Sequence, residues 1–101
     1  MDLDGFTASL TAPEPPSGLG PALEALWYAA NGDWDRAHHL AQQDDGAAGA
    51  WVHAYLHRVE GDAGNALYWY RRAGRPAGEG ATGAEWRAIA AALLAEGGAS
   101  G

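Results

Sequence analysis

The 101-residue sequence contains no cysteine and no lysine. The first absence excludes disulfides, thiolate nucleophiles and cysteine metal clusters. The second excludes lysine nucleophiles and the phosphate-cradling glycine loop that needs one. Isoleucine, valine and threonine make only a handful, and nothing alternates with period two, so there is little from which to build strands. The only serines are Ser9, Ser17 and Ser100, in the N-terminal segment, a connector and the tail, where no serine triad has a place to assemble. No run approaches the roughly 20 apolar residues of a membrane span, and the acidic start MDLDGFTASL lacks the apolar run of a signal peptide. A cytoplasmic location is the expectation. Cationic charge is scarce too: the six basic residues are all arginine and the net charge is −7. Such a balance repels phosphate backbones and anionic lipid, so neither nucleic acid nor membrane is expected as a partner.

What remains is an alanine-rich, tryptophan-rich chain of one-domain size. Alanine supplies half of the 48% hydrophobic fraction but little area, so core volume has to come from ten leucines, five tryptophans and four tyrosines. The expected fold class is all-α, with five or six short helices in antiparallel hairpins. Residues 4 to 10 read as a short helix behind an Asp4 cap, with Phe6 and Leu10 on one face. The stretch APEPPSGLG then reads as an extended connector that wraps the domain, completing an N-terminal segment over 1–20. Pro21 opens a helix with the stripe Leu23, Leu26, Trp27 and Ala30; Asp33 caps the next, with Trp34, Ala37, Leu40 and Ala41. A fourth helix runs from about Ala47 to Glu60, and a fifth places Ala63, Ala66, Leu67 and Tyr70 inward. Thr82 and Glu85 form a capping-box pattern before a last stripe of Trp86, Ile89, Ala90 and Leu93. Helical hairpins are expected over 21–96 and a disordered tail over 97–101.

Two turns repeat. In NGDWDRAHHLAQ and EGDAGNALYWYR, Gly32, Asp33 and Ala37 match Gly61, Asp62 and Ala66 at a period of 29. The glycine suits the positive φ of a helix end, the aspartate caps the next helix, and the alanine allows close approach. This pattern resembles the tetratricopeptide repeat, in which a helix, a short turn and a second helix form one unit. Ala66, Tyr70 and Ala73 resemble the family's small, aromatic, small pattern, whereas in the first unit only Ala37 fits. The resemblance covers roughly residues 21 to 76 and implies stacked hairpins that bind peptides. The stretch AWVHAYLHRVEGDAGNALYWYRRAG is also similar to one in small bacterial proteins, which implies no activity.

That stretch concentrates the chemistry. On a helical wheel Trp51, Val52, Tyr55, Leu56 and Val59 share an apolar arc, and His53, His57 and Glu60 fall on the other side at i, i+4, i+7. Asn65, Tyr68 and Arg72 line up on the next helix, with Trp69 at the core's edge. The primary expectation is non-catalytic association with a protein or peptide, a second copy of the chain included. The surface would be His53, His57, Arg58, Glu60, Asn65, Tyr68, Trp69 and Arg72. The alternative is a small-ligand or divalent-metal site on His53 and His57, completed by Glu60, His38 or His39. An enzyme using such a histidine as general base is the remoter extension of that alternative. The bland reading makes the polar stripe a solvated or half-buried face whose histidines bond neighbours, and the aromatics core filling.

Overall fold

A computed structural model describes the backbone of residues 1–100 and the side chains of residues 1–96; the 97–101 tail lies outside the fully described residues. Among the described residues the fold is all-α: α1 (Leu3–Ala8) with a 3-10 turn at Ser9–Thr11, α2 (Pro21–Ala30), α3 (Trp34–Gln43), α4 (Ala47–Val59), α5 (Ala63–Ala73) and α6 (Thr82–Ser100). Helices α2 and α3 form one hairpin and α4 and α5 a second. The long α4 is the centre, packing against α2, α3, α5 and α6.

The two repeated turns have the same geometry. Gly32 and Gly61 adopt φ of 81° and 84°. The amide of Asp33 donates to the Tyr28 carbonyl and that of Asp62 to the His57 carbonyl, both at 2.9 Å. The glycine amides donate to Ala29 and Arg58, each at 3.1 Å, completing a Schellman motif in both hairpins. Each aspartate then caps the following helix, accepting from the amides of Arg36 and Asn65 at 3.3 Å. A sharp stop and an immediate restart are thus combined in three residues, which fixes the antiparallel return of the chain.

The core is Phe6, Ala25, Leu26, Trp27, Ala37, Val52, Tyr55, Leu56 and the whole α6 stripe of Trp86, Ile89, Ala90 and Leu93. Phe6 is fully buried and stacks on Trp86 with centroids 5.6 Å apart. The Trp86 indole N–H donates to the Leu26 carbonyl at 2.8 Å, so the rings that replace missing aliphatic volume are also polar-satisfied.

Several local expectations are corrected. Helix α1 starts at Leu3 behind Asp2, whose Oδ1 accepts from the Gly5 amide at 2.8 Å, so Asp2 is the cap and Asp4 a first-turn acid. Ala30 is exposed, the buried face of α2 being shifted onto Ala22, Ala25 and Ala29. Ala63 and Leu67 face out on α5, because Ala54 and Trp51 of α4 meet it along Ala66 and Tyr70. The Glu85 side chain turns to Arg58 and Tyr70 instead of closing a capping box.

Candidate metal centre

Helix α4 brings His53 and His57 onto one face by their i, i+4 spacing, and α3 sets His38 opposite them. One ring nitrogen from each of the three lies within 4.8 Å of the other two. The rings of His53 and His57 stack at 4.9 Å with planes 12° apart, and His38 meets them edge-on at 5.5 and 5.4 Å. On its other side the stack continues into α5: Trp69 lies 4.0 Å from His53 at 16°.

Burial along the polar stripe is graded, with His53 buried, His57 half-buried and Glu60 exposed. His53 is only 6% exposed, because α3 and α5 both close over the polar side of α4. An isolated amphipathic helix has one buried face, but α4 is flanked on both sides, so its second face is buried at His53 and opens to solvent toward Glu60. Among the described residues His53 has no hydrogen-bond partner, whereas the other two rings have carboxylates beside them. His38 Nε2 lies 2.5 Å from Glu60 Oε1, and His57 Nδ1 lies 3.9 Å from Asp62 Oδ2. Burial, then the neighbouring His57 and His38, pushes the His53 pKa down to about 4 against a small opposing pull from Glu60. His53 is therefore a neutral imidazole at neutral pH, the form with a lone pair to give.

The remaining expected residues divide between this centre and other roles. Glu60 belongs to it through His38. His39, on the adjacent position of α3, points away and meets Gln43 at 3.0 Å. Asn65 serves the helix cap, its Nδ2 donating to Asp62 Oδ2 at 2.6 Å and holding the Asp62 carboxyl below its usual range. Tyr68 and Arg72 lie together on the outside of α5, Arg72 5.3 Å over Trp69. Arg58 is separate from the histidines. It donates to Glu85 at 2.8 Å and to the Gly80 carbonyl, and so holds the 74–81 loop against the bundle.

His38 is the ligand candidate that helix periodicity did not single out, since it stands next to His39 and both are equally polar in sequence. The signal available was position: α3 runs back against α4, so only one of two consecutive side chains can face it.

Beside the cluster a cleft of about 260 Å³ is lined by His53, Trp69, Arg72, Gln42, Asp44 and Asp45 among others, giving His53 a route to solvent-sized molecules. A tetrahedral ion with ligands at about 2.0–2.1 Å needs nitrogens about 3.4 Å apart. No protein-family model, curated protein or solved structure matches this chain, so the centre stands on its own geometry.

Proposed function

We propose that this chain binds a divalent transition-metal ion through His38, His53 and His57, with Glu60 as the carboxylate that orients His38. The observation that carries the reading is the convergence of three imidazole nitrogens, from two helices, within 4.8 Å of one another. Two features support it. Carboxylates hydrogen-bonded to metal-bound imidazoles fix the tautomer and raise ligand basicity, and His38 has one in Glu60 at 2.5 Å, while Asp62 stands 3.9 Å from His57. The buried third ring is held neutral and without a competing protein hydrogen bond. An all-imidazole set suits zinc, nickel, cobalt or copper and disfavours magnesium and calcium. Three protein ligands also leave a coordination position for water or a small ligand.

The test is titration of the metal-free protein with Zn²⁺ and Co²⁺, followed by calorimetry and by cobalt absorption. One ion per chain is expected. His38→Ala, His53→Ala and His57→Ala should each weaken binding by about tenfold or more, while His39→Ala, one position along the same helix, should leave it unchanged. Equal losses from His38→Ala and His39→Ala, or equally tight binding of Mg²⁺, would refute the reading. Thermal unfolding supplies a second readout, because an ion that binds only the folded chain raises its midpoint.

A further inference from the structure

Three of the six arginines, Arg71, Arg72 and Arg75, fall within five residues at the end of α5, and no acidic residue occurs between Asp62 and Glu79. The other three arginines share the rest of the chain with all 13 acidic residues. The end of α5 is thus a cationic stretch on an anionic protein, with Asp44 and Asp45 lining a cleft beside Arg72 and Glu96 one beside Arg75. All three side chains are exposed. The ion pairs among the described residues engage Arg36, His38, His57 and Arg58, and none of these three.

Aromatic faces hold two of the guanidinium groups. Arg72 lies 5.3 Å over Trp69 and 6.0 Å over Tyr68, and Arg75 lies 3.9 Å over Trp51. Such stacking leaves in-plane N–H groups available to a carboxylate, with Arg72 Nη1 donating to Tyr68 Oη at 3.4 Å, and lowers the entropy lost on pairing. Next to them are Leu67, 42% exposed, and Tyr68, 52% exposed, which with Met1 are the large apolar side chains most open to water. Leu67 and Arg71 are four apart, as are Tyr68 and Arg72, so the four form one helical face. Along the edge of Leu67 an apolar hollow of about 260 Å³ opens between α5 and the 74–81 loop, walled by Ala63, Ala66, Tyr70 and Ala77.

We infer that this face of α5 docks an acidic segment of another protein that carries an apolar anchor residue. Arg71, Arg72 and Arg75 pair with its carboxylates, and Leu67, Tyr68 and the hollow receive the anchor. Charge decides between occupants. A nucleic acid presents the same anions to arginine, but any length beyond this stretch meets a strongly acidic surface. A second copy set face to face would oppose arginine with arginine. Set against its own acidic surface it would form a heterologous contact, which closes into a ring or runs on without end. A short acidic peptide meets neither obstacle. This surface does not require a metal, although Arg72 also borders the cleft beside His53.

The test is fluorescence anisotropy with a labelled glutamate-rich peptide carrying one leucine–phenylalanine pair, beside its glutamine counterpart and a single-stranded DNA of similar charge. Saturable binding of the acidic peptide that weakens with salt is expected. The glutamine peptide, and the Arg71→Gln/Arg72→Gln variant, should each bind about tenfold more weakly, and Leu67→Ser severalfold more weakly. Circular dichroism checks that the variants keep the fold. No saturable binding, binding unchanged in the arginine variant, or DNA bound as tightly as the peptide would each overturn the inference. So would self-association of the wild type, seen by sedimentation and lost in the variant.

Discussion

His53 and Trp69 lie ring on ring, centroids 4.0 Å apart and planes 16° apart, across the interface of α4 and α5. The contact explains why a histidine is tolerated at a position 6% exposed: its faces are covered by apolar or aromatic surface, and its charge is suppressed. It also joins the candidate metal centre to the second hairpin's packing, so a change of protonation at one is felt as stability of the other.

The pH dependence follows with a definite sign. The unfolded chain protonates His53 as pH falls through its ordinary value of 6.5, whereas the folded chain does so only near 4. Between these values the unfolded state binds more protons, so stability is full above pH 6.5 and falls toward pH 4. The expected loss is on the order of 3 kcal/mol. Asp62, held below 3.8, contributes its own loss only at lower pH. Urea unfolding of wild type and His53→Asn in EDTA checks this: the difference between the two curves should change across that window, and parallel curves would contradict it.

Gly49 tests packing against propensity. It lies in the first turn of α4, where an added Cβ would come 2.9 Å from the Ala41 carbonyl oxygen, 2.6 Å from Asp44 Cβ and closer still to the Asp44 carbonyl. Helix propensity favours Gly49→Ala by about 1 kcal/mol. Backbone atoms cannot move aside as a flexible side chain does, so the clash should exceed that gain and leave the variant less stable by about 1–3 kcal/mol. Thermal unfolding reads the sign directly; a raised midpoint would show that α3 and α4 separate at little cost.

The helix plan was legible because its signals are local. Asp33 and Asp62 cap, Gly32 and Gly61 turn, and Trp86, Ile89, Ala90 and Leu93 mark one buried stripe from spacing alone. What was not legible depends on how one helix is rotated and placed against another. His38 joins His53 across 15 residues of sequence and a turn, and Leu67 faces out although it fits an inward spacing. Glu85 has a capping-box position but reaches Arg58, 27 residues away. How deeply the polar side of α4 is covered at His53 was not legible because a wheel shows one helix without its neighbours.

Glu85 should be the most sensitive polar side chain outside the histidine centre. Its carboxylate is 9% exposed and accepts from Arg58 at 2.8 Å and from Tyr70 Oη at 2.5 Å. Burial, together with the Glu85 hydrogen bond and charge, raises the Tyr70 hydroxyl pKa, so it stays a donor. Glu85→Ala leaves a part-buried guanidinium and a buried hydroxyl without their partner, at an expected cost of about 3 kcal/mol. Glu85→Gln keeps an acceptor but not the charge and should cost less. Tyr70→Phe removes one neutral donor, about 1 kcal/mol. That order, Ala above Gln above Phe, is the expected result of denaturant titration, and equal losses for Ala and Gln would show that the Arg58 charge is not what Glu85 serves.

Phe6 decides whether the first 18 residues are structural. Helix α1 has six residues, too short to persist unaided, since an isolated helix needs roughly 12–15. What holds it is tertiary: Phe6 is fully buried on Trp86, and the Trp27 indole donates to Ser9 Oγ at 3.2 Å. Removing the Phe6 ring opens a void beside Trp86 and releases α1, so Phe6→Ala should cost about 3 kcal/mol. Deleting residues 1–18 loses the same anchor and should lower the unfolding midpoint at least as far. Local release of α1 also predicts that Phe6→Ala makes the N-terminal segment protease-sensitive while α4 to α6 stay protected. An unchanged midpoint after the deletion would mean that Trp86 is covered adequately without Phe6, and that the segment lies on the domain without stabilising it.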